Sequence, residues 1–359
     1  MDKQARVAAL LDKHKIEPAS GVDFLVADST LKEIEENIFY YTENFTAEEI
    51  ATHLFLTRAS KNPDIEPCQA SAIVYPISLA TLATNILPKE GALIAEAEIR
   101  RLQESGRPII FLSMFDFSLG QQKRTTIMEQ KVMRLVQRDM KLYRLSWIRA
   151  CDRVVQFEQT TDLLSNCTVF PLTLTPLQVP TKNRPWLFNF VGNTTKDHWP
   201  AGMVRSPEQQ PIWDQLAAEN SDHWFIGDAP KTQTLTNSNA YFDIPANSTF
   251  TLCPRGIANW TFRLYESILS GSIPVILSDT FIPPMGELQW NSFSLRYPES
   301  KLHEIGKILT NIDKSEIALK QQRLAEIQNR FTASGLQELW LDWVAGNFRK
   351  PESSKNLKS

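Results

Sequence analysis

The chain has 359 residues, 42% of them hydrophobic and 10% aromatic, with 38 basic and 41 acidic side chains and a formal net charge of -3. That length suits about two domains and that apolar fraction builds real cores, which excludes disorder, collagen and coiled coil. So small a net charge gives no electrostatic reason to expect a nucleic-acid partner. Four cysteines (Cys68, Cys151, Cys167, Cys253) with no CxxC pair point to isolated thiols rather than a disulfide framework or a zinc site.

The N-terminus carries only a short apolar patch broken by charge, unlike a secretory signal. Pro67–Pro88 is uncharged, but Gln69, Ser71, Ser78, Thr81, Asn85 and Pro76 interrupt it. A buried strand leading into a helix is therefore expected there, since a membrane helix needs about 20 mainly apolar residues. N-x-S/T sequons fall at Asn44, Asn166, Asn193, Asn247 and Asn259 and are read as coincidental, with the cytoplasm as the expected location.

Strand-like runs alternate with helical patterns along the chain, the signature of an α/β protein. In the first half, strands are predicted near Phe24–Ala27, Ala72–Tyr75, Ile109–Met114, Val154–Phe157 and Val169–Leu172. A helix over about Leu93–Glu104 stops before Gly106 and Pro108. Leu174–Pro185, with three prolines and no apolar periodicity, is the expected boundary between a domain over 1–180 and a second over 181–335. Residues 336–359 are read as a C-terminal helix and a polar tail. After the boundary come strands Trp186–Val191, Trp224–Ile226, Phe250–Cys253 and Ile273–Leu277. Helices are expected around Glu208–Asn220 and Trp260–Ser270, with Glu299–Arg330 mainly helical. Pro274 suggests an edge or strand-start position.

The stretch from Leu252 to Trp290 carries the chemistry. A strand ends at Cys253, a loop follows through Arg255 and Gly256, and Asn259 or Thr261 caps a helix. The N-terminus of that helix is an anion site, beside which Arg255 places a guanidinium fork, while Gly256 lets the backbone approach closely. Arg263 and Glu266, three residues apart, share one helix side. They form either a surface ion pair or a pair in which Arg263 meets phosphate and Glu266 a ribose diol. The next strand delivers Ser278 and Asp279 at its carboxyl end, Asp279 being a ligand contact or a simple turn residue. No dinucleotide fingerprint, P-loop or nucleophile elbow occurs.

Cys253-Pro254-Arg255-Gly256, Thr261-Phe262-Arg263-Leu264-Tyr265-Glu266-Ser267 and Gly271-Ser272-Ile273-Pro274-Val275-Ile276-Leu277-Ser278-Asp279 together resemble the C-terminal signature of exostosin-family glycosyltransferases. Weaker echoes lie at Arg184–Gly192, Pro108–Asp116 and Ala70–Pro76, the last with Ser71 in place of the family's acid. Ser272 replaces the usual Cys. The resemblance is specific over residues 250 to 295 and extends more loosely from about 50 to 310.

The resemblance implies a GT-B fold: two Rossmann-like domains with parallel sheets facing across a cleft, the second holding the nucleotide-sugar. It implies inverting transfer from a sugar nucleotide, usually UDP-linked, to a glycan acceptor, with Arg255, Arg263 and Glu266 on the expected nucleotide contacts. Gly256, Asn259, Thr261, Ser278, Asp279, Gly192 and Asn193 complete the expected nucleotide-sugar set; Asn193 and Thr194 follow the first strand of the second half, on a loop placed to reach the diphosphate or the acceptor.

Inverting transfer needs a base on the acceptor hydroxyl and a stabiliser for the leaving diphosphate. The chain has no Asp-x-Asp motif, so no metal and no cofactor is expected; arginines and a helix N-terminus take that role. Asp116, after an apolar strand, is the first candidate base, Glu158 the second and His53 the third. His198 and His223, each before a tryptophan, are read as packing residues or acceptor-site lining. Between Lys123 and Arg153 lie nine basic and three acidic residues. Lys131, Arg134, Arg138 and Lys141 there share a helical face that is either solvated or docks on anionic lipid or acidic glycan. Two competing readings are a GDP-sugar (fucosyl-type) transferase and a catalytically silent GT-B partner subunit.

Overall fold

The computed structural model describes residues 3–12, 24–27, 29, 31–32, 47–59, 65–78, 89–113, 149–157, 167–170, 184–192, 209–219, 223–228, 243–256, 261–279, 281, 283–284 and 288–348. The expected boundary at 174–183, the basic face and the polar tail lie outside these residues.

Two all-parallel five-stranded sheets organise the chain. The first runs in the order β1 (Phe24–Val26), β2 (Ala72–Tyr75), β3 (Ile109–Ser113), β4 (Arg153–Phe157), β5 (Cys167–Phe170). Every residue of β2 is buried, as a parallel strand covered on both faces requires. The pleat sends Ala72, Val74, Ile110, Leu112 and Val155 to one face. There they meet α1 (Lys3–Asp12) and α2 (Ala47–Ala59), whose Val7, Leu10, Leu11, Ala51 and Phe55 form apolar stripes. On the opposite face lies α3 (Lys89–Glu104), where Glu98 accepts from the hydroxyls of Tyr75 at 2.8 Å and Ser29 at 2.7 Å. This helix begins four residues earlier than its apolar pattern suggests. It ends where Gly106 takes the left-handed φ of 71° that its stop signal anticipates.

The second sheet has the order β10 (Leu295–Tyr297), β9 (Ile273–Leu277), β8 (Ser248–Pro254), β6 (Trp186–Gly192), β7 (Trp224–Asp228). Counted within this half the order is 5-4-3-1-2, the doubly wound arrangement in which the winding reverses between its first and third strands, β6 and β8. One face packs α4 (Gln210–Ala218) and α6 (Ile305–Thr310) through Trp213, Leu216, Ile305 and Leu309. The other packs α5 (Phe262–Leu269) and α7 (Lys314–Ile327) through Leu264, Tyr265, Ile268, Leu324 and Ile327.

Of the two readings of Pro274, strand start holds and edge does not: it is the second residue of β9, which pairs with both β8 and β10. It is tolerated because pairing with β10 starts only at Val275. The helical run over 299–330 is broken at residues 311–313, where Asp313 caps α7 by accepting from the Ser315 N–H. Strand β10, three residues long, was too short for a period to show.

The last helix, α8 (Ala333–Asn347), returns to the first half. Its stripe of Leu336, Leu339, Trp340 and Val344 enters the core beneath β2, β3 and β4. Each fully buried leucine there contributes about 1.5–3 kcal/mol. The turn into it is tight: a Cβ on Gly335 would lie 2.1 Å from the Asn329 carbonyl oxygen.

Candidate functional site

In a doubly wound sheet, ligands bind outside the carboxyl ends of the strands where the winding reverses. Here that point is the gap between the ends of β6 and β8, and the chain places two buried arginines across it. Arg255, directly after β8, is 5% exposed and forms an ion pair with Glu299, itself 14% exposed, at 2.5 Å between Nε and Oε1. Its backbone N–H donates to Leu277 at the end of β9 (3.1 Å), and its Nη1 to the Gly256 carbonyl (3.3 Å). Glu299 follows β10, and its N–H donates to Asp279 Oδ1 at 3.1 Å.

Arg263 reaches the gap from α5. Thr261 caps that helix, its hydroxyl accepting from the Arg263 N–H, so the capping alternative resolves to Thr261. At the far end Gly271, with φ 68°, closes a two-bond stop in which Gly271 and Ser272 N–H groups donate to Ile268 and Ser267 carbonyls. The guanidinium of Arg263 donates through Nη2 to the Val191 carbonyl near the end of β6. Its Nη1 lies 2.8 Å from Glu266 Oε2. At 6% and 13% exposure this is a buried pair, not the surface pair that the three-residue spacing allowed. Taking such charges out of water is costly, so the pair is weak evidence for stability and needs another reason to sit at a strand end.

The layer below is polar. Asn189, in the middle of β6, donates to Phe250 O and to Thr251 Oγ1, which in turn donates to Ser272 Oγ at 2.8 Å. Ser272, the departure from the usual Cys, thus completes a hydrogen-bonded ladder. Cys253 is buried, and burial pushes its thiol up to about 12, leaving it inert at neutral pH.

Of the expected site residues, Arg255, Gly256, Arg263, Glu266 and Gly192 come together around the ends of β6 and β8. Gly192 ends β6 with its α-carbon against Phe190, whose ring a Cβ would meet at 2.4 Å. Ser278 is buried, and Asp279 is exposed and engaged by the Glu299 backbone. Asn193, Asn259, Asp116 and Glu158 lie outside the described residues, as do Thr194, His198, Lys131, Arg134, Arg138 and Lys141.

His53 is fully buried on α2, donating from Nε2 to the Pro76 carbonyl at 2.7 Å; burial lowers its pKa to about 4. A ring so enclosed is a poor base for an external hydroxyl. His223 precedes β7 and so sits at the amino end of the second sheet, away from the strand ends that hold the arginines. Glu299 escaped sequence reasoning because β10 is too short to announce the strand that delivers it. The Pro298-Glu299 pair opening a helical turn was the one available signal.

Residues 159–312 match the model of the exostosin GT47 domain family. Over that span the chain is similar to exostosin GT47 domains. The matched span holds β6 to β10 and all four members of the two buried ion pairs, while the echoes at Ala70–Pro76 and Pro108–Asp116 precede it. The fold around it is α/β, with two all-parallel sheets and helical flanks. A probable glycosyltransferase of Arabidopsis thaliana is 28% identical over 132 residues, 36% of this chain and 24% of that protein. A probable beta-1,4-xylosyltransferase of the same plant is 35% identical over 85 residues, 23% of this chain and 20% of its own length. A probable glucuronosyltransferase of Oryza sativa subsp. japonica is 34% identical over 87 residues, 24% of this chain and 21% of that protein. The chain therefore aligns with no more than 24% of the length of these three relatives. Among solved structures, the GtfA/B complex gives a TM-score of 0.45 at 9% identity, covering 85% of this chain and 62% of that one.

Among the described residues, no helix is long and apolar enough to cross a membrane.

Proposed function

We propose that the chain is an inverting glycosyltransferase of polysaccharide or surface-glycan synthesis. It moves a sugar from a UDP-linked donor to a glycan hydroxyl without a metal. The observation that carries this reading is the pair of buried arginines, Arg255 and Arg263, at the ends of β8 and β6 within the exostosin domain. A departing nucleoside diphosphate gathers negative charge. Two guanidinium groups and the N–H groups opening α5 are the protein's means of stabilising it in place of a metal.

Glu266 gives the donor's ribose hydroxyls a carboxylate acceptor whose charge Arg263 balances. Reaction is a single displacement: a carboxylate of the first half, Asp116 or Glu158, takes the acceptor proton as the sugar's bond to the diphosphate breaks. The cytoplasm is the proposed site of action, with the Lys131, Arg134, Arg138 and Lys141 face touching anionic lipid or acidic glycan.

The test is thermal stabilisation of the purified protein by UDP, GDP, CMP and UDP-sugars, with and without EDTA. A ligand that binds only the folded state, at 100 times its dissociation constant, adds about 2.7 kcal/mol. A UDP-selective, EDTA-insensitive shift is expected. A GDP-selective shift replaces the donor assignment with a fucosyl-type one. No shift with any nucleotide overturns the transferase reading in favour of a silent GT-B subunit.

A further inference from the structure

Arg255 is held in place by the protein itself. Glu299 takes its Nε at 2.5 Å and its Nη2 at 3.3 Å, a two-point fork that fixes the guanidinium plane. The remaining nitrogen, Nη1, lies along the loop after β8, 3.3 Å from the Gly256 carbonyl. Glu299 is fixed in turn, because its N–H donates to Asp279 Oδ1. Asp279 follows Ser278, whose N–H donates to Tyr297 at the end of β10. One line of hydrogen bonds thus ties the ends of β8, β9 and β10 and terminates on the guanidinium at the point of reversed winding. The bonds made by the two acids lie beyond the sheet ladder, whose β9–β10 pairing ends at Leu277 and Tyr297.

We infer that Glu299 and Asp279 are positioning residues. They grip Arg255 by its Nε–Nη2 edge, so that the Nη1 edge beside Gly256 is the one that meets the diphosphate of the donor. The inference rests on the nucleotide-sugar reading above. A long arginine otherwise loses rotamer freedom when ligand arrives, and holding it beforehand removes that cost from binding. The carboxylate also tempers the charge that the site presents, so affinity comes from direction rather than from a bare cation.

Titration calorimetry with UDP and with uridine tests this on the unsubstituted protein, Glu299→Ala, Glu299→Asp, Arg255→Ala and the Glu299→Ala/Arg255→Ala double variant. GDP and guanosine are run alongside. The Glu299→Ala variant should bind UDP about tenfold more weakly, the scale of a lost hydrogen bond to a charged group. Its uridine affinity should be unchanged, and Glu299→Asp should recover part of the loss. In the Arg255→Ala background, Glu299→Ala should cost nothing further, because the relay acts only through that arginine. Equal weakening of UDP and uridine, or additive losses in the double variant, would make Glu299 a general support of the fold and overturn the relay. Unchanged UDP binding by Glu299→Ala overturns the relay alone. Absence of any nucleotide binding by the unsubstituted protein removes the nucleotide reading itself, and the relay with it. If Glu299→Ala does not fold, Glu299→Gln, uncharged and nearly isosteric, carries the same comparison.

Discussion

Arginine–carboxylate pairs with a buried member occur at opposite ends of the two sheets, and they are built differently. At the amino end of the first sheet, Asp152 is fully buried and surrounded. Its Oδ1 accepts from the Ile109 N–H at 2.8 Å and from Arg149 Nη2 at 2.9 Å; its Oδ2 accepts from the Arg149 N–H at 2.7 Å. Arg149 also donates from Nη1 to the Gln103 carbonyl and from Nη2 to the Arg107 carbonyl, and its hydrogen bonds to Asp152 push its pKa above the ordinary value. This cluster knots the end of α3 to the starts of β3 and β4. At the carboxyl end of the second sheet, Arg263 and Arg255 instead bridge different strands and loops, Val191 with Glu266 and Gly256 with Glu299. Burial of an ion pair therefore does not mark a site by itself; its place relative to strand direction does.

The first way to break this comparison is Asp152→Ala. Removing the carboxylate leaves the buried Ile109 N–H without its acceptor, a loss of about 1–3 kcal/mol. The loss should appear as a lower denaturant midpoint, with nucleotide affinity of the folded protein unchanged. A cost under about 1 kcal/mol would show that the knot is incidental, since ordinary surface substitutions stay within about 0.5 kcal/mol.

His53 supplies a further test in the first half, where burial again serves the fold. Its folded-state pKa of about 4 lies below the ordinary 6.5, so the unfolded chain takes up the proton first. The contribution is fully present above about pH 6.5 and is lost as pH falls towards 4, at most about 3 kcal/mol across that window. His53→Gln, which keeps a donor for the Pro76 carbonyl, should flatten this part of the stability–pH curve. A slope unchanged in the variant would assign the acid sensitivity to other groups.

Arg263→Ala probes the other side of the comparison. Nucleoside diphosphate affinity should fall about a hundredfold, equivalent to about 2.7 kcal/mol. Arg263→Lys should recover only part, because a single ammonium cannot reach both Val191 and Glu266 as the planar fork does. Calorimetric affinity within threefold of the unsubstituted protein would place Arg263 with Arg149, as a residue of the fold alone.

Much of this contrast was legible in the residues, for physical reasons that differ from place to place. The strands Ala72–Tyr75 and Ile273–Leu277 were readable to the residue because both lie inside a sheet and are apolar throughout. Arg255, Arg263 and Glu266 were readable because a strand, a glycine loop and a capped helix follow one another within a short stretch. Glu299 was not, since its meaning depends on a contact 44 residues away in sequence. Nor was Asp152, whose partners are mostly backbone groups that no residue type announces. The burial of Arg263 and Glu266 was also hidden: three-residue spacing puts two side chains on one helix side without saying what that side faces.

The smallest effect draws the finest distinction. Thr261 and Thr332 are both N-cap threonines, accepting from the N–H groups of Arg263 and Gly335 respectively. Losing either cap to alanine costs about 1 kcal/mol of stability, so thermal unfolding should not separate the two variants. Ligand binding should. Thr261 fixes the first turn of α5, from which Arg263 reaches the end of β6, whereas Thr332 opens α8, whose apolar stripe lies in the first half's core. Thr261→Ala should therefore weaken nucleoside diphosphate binding severalfold, and Thr332→Ala should leave it unchanged. Equal effects of the two on affinity would mean that the crevice responds to overall stability rather than to the aim of α5, and the distinction between the two ends of the molecule would lose its support.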